Sequence, residues 1–188
     1  LITLDFETYY SKDFSLSKIT TENYIRHKDF QVIGFAYKID NGDVKWVTGD
    51  DDKIAMALSA LDIPNSYLIA HNAAFDGAIL AFRYGILPHF YIDTLSMARA
   101  KHGVDAGGSL AKLAERYDLG VKGTEVVDAM GKRRADFSEE ELARYGEYCK
   151  NDVALTYDLF RQLASSFNKT EIALIDMTIK MHTMPQFE

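Results

Sequence analysis

LITLDFETYY, residues 1–10, is the stretch of sequence that decides the fold. Leu4 and Phe6 alternate with Asp5 and Glu7, which is the two-residue period of a β-strand. Because side chains two residues apart leave the same face of a strand, the two carboxylates project together. A solvated edge strand would show the same pattern, so the pair of carboxylates alone is weak evidence for a functional site. Here it interrupts an apolar strand that we expect to be central, where carboxylates are costly without a cation.

The segments that follow predict an α/β fold. Further strands are predicted at 30–39, 43–48, 67–70 and 90–92. Helices are predicted at 50–61, 74–84, 94–101, 109–117, 138–165 and 170–182. Three antiparallel strands followed by crossover connections give a mixed sheet, with three antiparallel and then two parallel strands and helices on both faces. Ligands of such sheets gather at the ends of the central strands.

The composition indicates one domain of 188 residues without a membrane-spanning segment, because no apolar run approaches about 18 residues. The single cysteine, Cys149, excludes an internal disulfide, suits the cytoplasm and is interpreted as a small buried filler. The net charge of −7 argues against a generally basic nucleic-acid surface. Since the chain starts without Met, in an apolar strand, we expect a fragment of a longer protein, and we expect it to be monomeric.

A second string, HNAAFD at residues 71–76, follows the predicted strand 67–70. Asp76 lies in the first turn of the next helix, where a carboxylate can also simply complement the helix dipole. Asn72 carries an amide donor and acceptor that suit a substrate sugar, with helix capping as the alternative. His71 is either a substrate contact or a satisfied packing residue. Asp93, after the next strand, is interpreted as a helix cap rather than a ligand.

A third string, YCKND at residues 148–152, lies on the longest predicted helix. Tyr148 and Asp152 are four residues apart and therefore share one helix face. This spacing brings a phenol beside a carboxylate, where it can hold a water molecule in line with a phosphorus atom. Tyr145 competes for that role, but it lies seven residues before Asp152 and is interpreted as packing.

The three strings together supply four acids to one site, where they repel one another unless cations are present. Two divalent ions held by carboxylates are typical of phosphodiester hydrolysis.

Two further segments offer contacts to nucleic acid. Tyr9 and Tyr10 follow the first string directly and can stack on a terminal base, with packing as the alternative. The densest basic run, Lys132-Arg133-Arg134, can touch phosphates, with a solvated loop as the alternative.

The ordered set D-x-E, N-x-x-F-D and Y-x-x-x-D resembles the DEDDy branch of the DnaQ-like 3′→5′ exonucleases, which have an RNase H-like fold. The tyrosine four residues before the last Asp marks this branch, whereas the other branch uses a histidine near that position. No histidine lies between His102 and His182. The resemblance covers nearly the whole chain, and the set is far more specific than any of its motifs.

The resemblance implies a two-metal 3′→5′ exonuclease. Its metal ligands would be Asp5, Glu7, Asp76 and Asp152. Tyr148 would orient the attacking water, and two Mg²⁺ or Mn²⁺ ions about 3.5–4 Å apart would activate it and stabilise the leaving 3′ oxygen. Thr8 and Asn72 match positions that contact the terminal nucleotide, while Phe6 and Phe75 are expected in the core.

Within this superfamily the chain is most similar to the proofreading domains of phage-type family A DNA polymerases. The residue sequences of the HNAAFD and YCKND motifs suggest this, as does that of the final segment 171–177. The resemblance implies cleavage of single-stranded DNA at its 3′ end to 5′-mononucleotides. It also implies an exonuclease domain over 1–188, a covalently attached polymerase reached through about 168–188, and the host cytoplasm for a phage protein.

Two other functions remain open. One is a stand-alone or RNA-directed 3′→5′ exonuclease of the same fold. The other is a catalytically silent interaction module, although such a module would need none of the five site residues that this sequence retains.

Overall fold

The computed structural model describes residues 1–122 and 128–184. Its centre is a five-stranded sheet with the strand order β3-β2-β1-β4-β5. The strands are β1 (Ile2–Thr8), β2 (Val32–Ile39), β3 (Val44–Thr48), β4 (Tyr67–Ala70) and β5 (Phe90–Asp93). The pairs β1–β2 and β2–β3 are antiparallel, whereas β1–β4 and β4–β5 are parallel. The predicted mixed sheet of three antiparallel and then two parallel strands is confirmed.

Helices cover both faces of the sheet, as predicted. They are α1 (Thr21–Arg26), α2 (Asp51–Ser59), α3 (Ala73–Tyr84), α4 (Thr94–His102), α5 (Leu110–Arg116), α6 (Glu139–Leu163) and α7 (Lys169–Thr183). The long helix α6 crosses β1, β2 and β3 on one face and packs against α4 and α5 there. On the other face α3 contacts β1 and β4, and α1 and α7 pack on α3. The predicted helices differ from the observed ones by a few residues at their ends, and the short α1 was not predicted.

The two faces of β1 separate the core from the polar site. Leu4 and Phe6 are buried in the core that contains α3. Asp5 and Glu7 project from the opposite face, toward α6. The strand alternation predicted from the sequence is therefore confirmed, and it places both carboxylates under the long helix.

A tryptophan fixes the distance between α6 and the sheet. The indole of Trp46 on β3 packs against Gly34 of β2 and Gly146 of α6. A Cβ atom at either glycine would lie 2.5 Å from the indole ring, so no larger residue fits without movement. The close approach of α6 to β1 depends on these two glycines.

Gly146→Ala should therefore destabilise the protein, although alanine is the better helix former. The helix-propensity gain is about 1 kcal/mol, whereas overpacking a filled site costs about 1–3 kcal/mol. We expect a net loss of up to about 2 kcal/mol in the free energy of unfolding, measured by urea denaturation. In a Trp46→Phe background the same substitution should cost less, because the smaller ring leaves room. A more stable Gly146→Ala protein would contradict this packing account.

The last helix, α7, docks onto the domain. The Asp176 carboxylate accepts the backbone N–H of Tyr91 on β5 at 2.7 Å and pairs with Lys180 at 2.8 Å. The predicted start of a connection within about 168–188 thus coincides with a packed helix up to Thr183, and residues 185–188 lie outside the described part of the chain. A role of this segment as a connection stays a prediction. None of the helices in the described ranges has the length and apolar character needed to cross a bilayer.

Candidate active site

Asp76 is held at the end of β1 by the backbone. The pairing of β1 with β4 extends only over Ile2 and Thr3. Further along β1, the N–H of Phe6 donates instead to the Asp76 carboxylate at 3.0 Å. Asp76 is 2% exposed and lies in the first turn of α3. Because the hydrogen-bonded pairing of β1 with β4 ends at Thr3, the Asp76 carboxylate fits beside Asp5 and Glu7.

The fourth carboxylate comes from α6. Cys149 is fully buried, and its Sγ atom lies 3.4 Å from the backbone oxygen of Asp5 and 3.5 Å from its Oδ2 atom. This contact places α6 directly over β1 at Asp5. A carboxylate oxygen of Asp5, one of Glu7 and the cysteine Sγ all lie within 4.8 Å of one another. Asp152 follows one turn later on the helix and interacts electrostatically with Asp5 and Glu7.

All four carboxyl groups have a raised pKa. Burial is the largest cause for each of them. It raises the pKa of Asp5 well above its usual range, with the neighbouring acids adding to the effect. The pKa of Glu7 rises to about 7 and that of Asp76 to about 8. For Asp152 burial also raises the pKa, while the nearby Lys122 opposes the rise.

This donor set fits divalent cations. Carboxylate oxygens are the ligands that Mg²⁺ and Mn²⁺ prefer. In the described part of the chain, Lys122 is the cationic side chain paired with the cluster, with its Nζ atom 3.5 Å from Asp152 Oδ2. One ammonium group does not balance four carboxylates that are buried or partly buried. Bound divalent ions would supply the missing positive charge and allow all four to ionise.

His71 and Asp93 are structural. The two ring nitrogens of His71 contact Thr94 Oγ1 at 2.8 Å and the Gly108 carbonyl oxygen at 2.7 Å. Burial is the main cause that lowers the His71 pKa, which favours the neutral ring. Asp93 caps α4 through the N–H groups of residues 95 and 96 and also accepts those of residues 72 and 73. The interpretation of Asp93 as a cap is confirmed, and His71 is the satisfied packing residue of the two alternatives.

Asn72 presents an exposed side chain beside the Asp76 turn. It precedes α3 with a left-handed backbone, φ 70°, and its side chain makes no capping hydrogen bond. The Asp93 carboxylate fixes that backbone instead, through the Asn72 N–H at 2.9 Å. The amide is therefore not used as a helix cap, and its contact with a terminal nucleotide stays a prediction.

The residues after Glu7 are engaged within the protein. Thr8 Oγ1 lies 2.9 Å from the Tyr24 hydroxyl. The Tyr9 ring packs against Phe14, and the Arg133 guanidinium lies 4.2 Å from its ring centre. Tyr10 is half-buried and packs against a small apolar cluster that includes Ile33 of β2 and Tyr145 of α6. A base that stacks on Tyr9 would have to compete with these contacts, so base stacking by the two tyrosines stays a prediction.

The basic run also has intramolecular partners. Its backbone is tied to the tyrosine segment by a hydrogen bond from the Gly131 N–H to the Tyr10 carbonyl oxygen at 2.7 Å. The side-chain partners are Glu141 for Lys132, at 2.9 Å, Asp29 for Arg133, at 3.8 Å, and the Val32 carbonyl oxygen for Arg134, at 3.4 Å. The loop therefore borders the segment that follows the first motif, while its charges are partly compensated. Its contact with phosphates stays a prediction.

Sequence reasoning missed two polar contacts of the site. Tyr145 packs, as predicted, but its hydroxyl also donates a hydrogen bond to Glu7. Lys122 pairs with Asp152 from a segment that carried no recognisable motif. The spacing of three between Tyr145 and Tyr148, which puts them on neighbouring parts of one helix face, was the available signal for the first. No pattern in the sequence indicated the second.

The sequence matches the profile of a 3′-5′ exonuclease family over residues 14–168. The chain belongs to this exonuclease family. The matched range contains Asp76, Tyr148 and Asp152 and begins after Asp5 and Glu7. A comparison with curated proteins found no match.

Solved structures share the fold of this exonuclease. NrnC from Brucella melitensis aligns over 97% of this chain and 81% of its own, with a TM-score of 0.66 and 15% identity. RNase D from Trypanosoma brucei aligns over 98% of this chain and 66% of its own, with a TM-score of 0.71 and 14% identity. The family B DNA polymerase from Pyrobaculum calidifontis aligns over 87% of this chain but 24% of its own, with a TM-score of 0.63 and 15% identity. At these identities the likeness shows the fold, and with it the RNase H-like architecture expected from the motifs.

Proposed function

We propose that this exonuclease removes nucleotides one at a time from the 3′ end of single-stranded DNA, as the proofreading part of a DNA polymerase, and releases 5′-mononucleotides. The observation that carries the chemistry is the meeting of four carboxylates from β1, α3 and α6 at the end of the central strand, where Asp76 is buried and the other three are partly buried. Such a set is costly in a folded protein unless cations bind there. The proposal includes a monomeric unit that acts in the cytoplasm, within the same polypeptide as its polymerase.

The proposed cofactors are two divalent ions, Mg²⁺ or Mn²⁺, held by Asp5, Glu7, Asp76 and Asp152. When bound, such ions stabilise the charge that develops on a phosphodiester and lower the pKa of water. Four carboxylates carry four negative charges, which two divalent ions neutralise. The elevated pKa values of these acids in the metal-free protein support this assignment.

The protein's own residues fix the geometry of the reaction. Asp76 is anchored by the Phe6 N–H, so its carboxylate stays beside β1. Tyr148 lies one helical turn before Asp152 on α6, where its phenol can orient the attacking water toward the phosphorus atom. The exposed amide of Asn72 is available to the sugar of the terminal nucleotide.

Tyr148→Phe should lower the cleavage rate by about 10–10³-fold, because positioning of the water is lost while the carboxylates remain. The rate is measured as mononucleotide release at saturating Mg²⁺. Tyr157→Phe is the matched control, since it removes a hydroxyl from a buried ring nine residues further along α6 and should leave the rate unchanged. A Tyr148→Phe protein as fast as the wild type would make this tyrosine structural.

The polymerase assignment rests on two supports. The wording of the HNAAFD and YCKND strings resembles phage-type family A polymerases. The fold match to the Pyrobaculum polymerase covers 24% of that protein, so an exonuclease of this architecture can form one part of a longer polymerase chain.

RNA cleavage is the second candidate, favoured by the fold matches to RNase D and NrnC. One of the T. brucei RNase D structures is a complex with the RNA U12. The deciding experiment offers DNA and RNA of the same sequence in one reaction and measures kcat/KM for each. We expect DNA to be preferred by about tenfold or more, which corresponds to about 1.4 kcal/mol. A preference for RNA would reject the proofreading assignment and leave the exonuclease activity intact.

A further inference from the structure

Tyr145 lies outside the motif that defines the active site, yet its hydroxyl donates a hydrogen bond to Glu7. It precedes Tyr148 by three residues on α6 and is 6% exposed. The Y-x-x-x-D pattern gives it no role. The ring packs as an ordinary core side chain does, but the hydroxyl binds one of the four carboxylates of the site.

The ring of Tyr145 is held from two sides. It stacks on Trp46, with 6.2 Å between ring centres and 22° between planes. It also meets Phe137 at 5.6 Å and 58°. Trp46 is itself confined between the glycines of β2 and α6 described above. These contacts hold the Tyr145 side chain in one orientation, with its hydroxyl directed at Glu7.

Glu7 needs such a partner more than the other three acids. Its side chain has one more rotatable bond than an aspartate, and it sits at the end of β1, where the pairing with β2 shifts register between Glu7 and Thr8. Asp5 and Asp152 repel it. In the absence of a donor, this repulsion would favour rotamers that carry the carboxylate away from the cluster.

We propose that Tyr145 is a positioning residue, whose hydroxyl fixes the Glu7 carboxylate in the orientation that binds a divalent cation. The inference rests on the proposed metal site. Groups that orient a ligating side chain are generally worth about 10–100-fold in metal affinity. Tyr145 acts through Glu7 and does not touch the substrate, so its loss should weaken metal binding and spare the chemistry once metal is bound.

The test is Tyr145→Phe, which keeps the ring between Trp46 and Phe137 and removes only the hydroxyl. Mn²⁺ is titrated into the protein without nucleic acid, and free Mn²⁺ is counted by electron paramagnetic resonance. We expect the dissociation constant for Mn²⁺ to rise about tenfold. In cleavage assays the half-saturating metal concentration should rise similarly, while kcat at saturating metal stays near that of the wild type.

Two comparisons separate positioning from a merely structural effect. Tyr148→Phe should show the opposite pattern, with a lower kcat at every metal concentration and unchanged Mn²⁺ binding. In a Glu7→Gln background, Tyr145→Phe should add little to the loss of Mn²⁺ affinity, because the two residues act as one unit. Thermal unfolding in EDTA verifies that each variant is folded.

The outcomes are distinct. Equal Mn²⁺ affinity of Tyr145→Phe and the wild type would overturn the positioning role and leave the proposed site standing. Full additivity with Glu7→Gln would overturn it as well, since Tyr145 would then act elsewhere. A wild-type protein that binds no Mn²⁺ would overturn the proposed metal site and this inference with it.

Discussion

Asp152→Ala should lower the rate of 3′-end hydrolysis by about 10³-fold or more. Bound metal ions stabilise the charge of the transition state by several kcal/mol, and each 1.4 kcal/mol of activation free energy corresponds to a tenfold change in rate. Asp152 interacts with Asp5 and Glu7 from α6, so its removal takes away one of the four carboxylates that would hold the cations. The measurement is single-turnover cleavage of a labelled oligonucleotide in Mg²⁺.

The matched control is Asp158→Ala, which removes an exposed carboxylate from the same helix. It should cleave at the wild-type rate. The free energy of unfolding of Asp152→Ala, measured in EDTA, should equal or exceed that of the wild type, because a charge that repels Asp5 and Glu7 is gone and the lost ion pair with the exposed Lys122 contributes little. Wild-type activity in Asp152→Ala would remove this residue from the catalytic set, whereas an unfolded variant would assign it a structural role.

The metal-free protein should lose stability as the pH rises from about 6 to about 8. Folding raises the pKa of Glu7 to about 7 and of Asp76 to about 8, above the values near 4 of the unfolded chain. The folded state therefore holds more protons than the unfolded state in this range, and the stabilisation is lost as the pH passes the folded-state values. An average of about 1.4 excess protons corresponds to roughly 4 kcal/mol over two pH units, or about 8–16 °C in Tm.

Thermal unfolding in EDTA at pH 6, 7 and 8 checks this expectation. Adding Mg²⁺ should raise Tm most at pH 8, where the carboxylates are ionised and the metal has most repulsion to relieve. Asp76→Asn is the control variant, since its amide oxygen can still accept the Phe6 N–H while the titration is removed, so its Tm in EDTA should depend less on pH. His71 has the opposite effect on the pH dependence of stability. Its pKa is lowered in the folded state, so it removes stability as the pH falls below about 6.5. The test therefore starts near that pH. A Tm that rises steadily from pH 6 to 8 in EDTA would contradict the buried acid cluster.

The fold was predictable where local patterns coincide with tertiary packing. The alternation in β1 identified which side chains face the core, because a two-residue period has only two faces to choose from. Helix α6 was predictable because Ser138 and Glu141 form a capping box at the start of a long amphipathic run. The short α1 was missed because it buries only two adjacent residues, Tyr24 and Ile25, and two neighbours show no helical period.

The site was predictable as a set of residues but not as a set of contacts. Ordered motifs at strand ends and on one helix indicated which acids meet. The hydrogen bond from Tyr145 to Glu7 and the ion pair of Lys122 with Asp152 join residues more than 25 positions apart in the chain. They depend on how closely α6 approaches the sheet, which the packing of Trp46 against two glycines decides, and nothing in the local sequence encodes that distance.

We propose that the carboxylate cluster performs metal-dependent hydrolysis from a 3′ end. The most direct measurement follows a 5′-labelled single-stranded DNA with Mg²⁺, beside an EDTA reaction and the Asp5→Ala variant. We expect products that shorten one nucleotide at a time from the 3′ end, and no cleavage in the two controls. Cleavage that persists in EDTA or in Asp5→Ala, or products that arise from internal cuts, would contradict it.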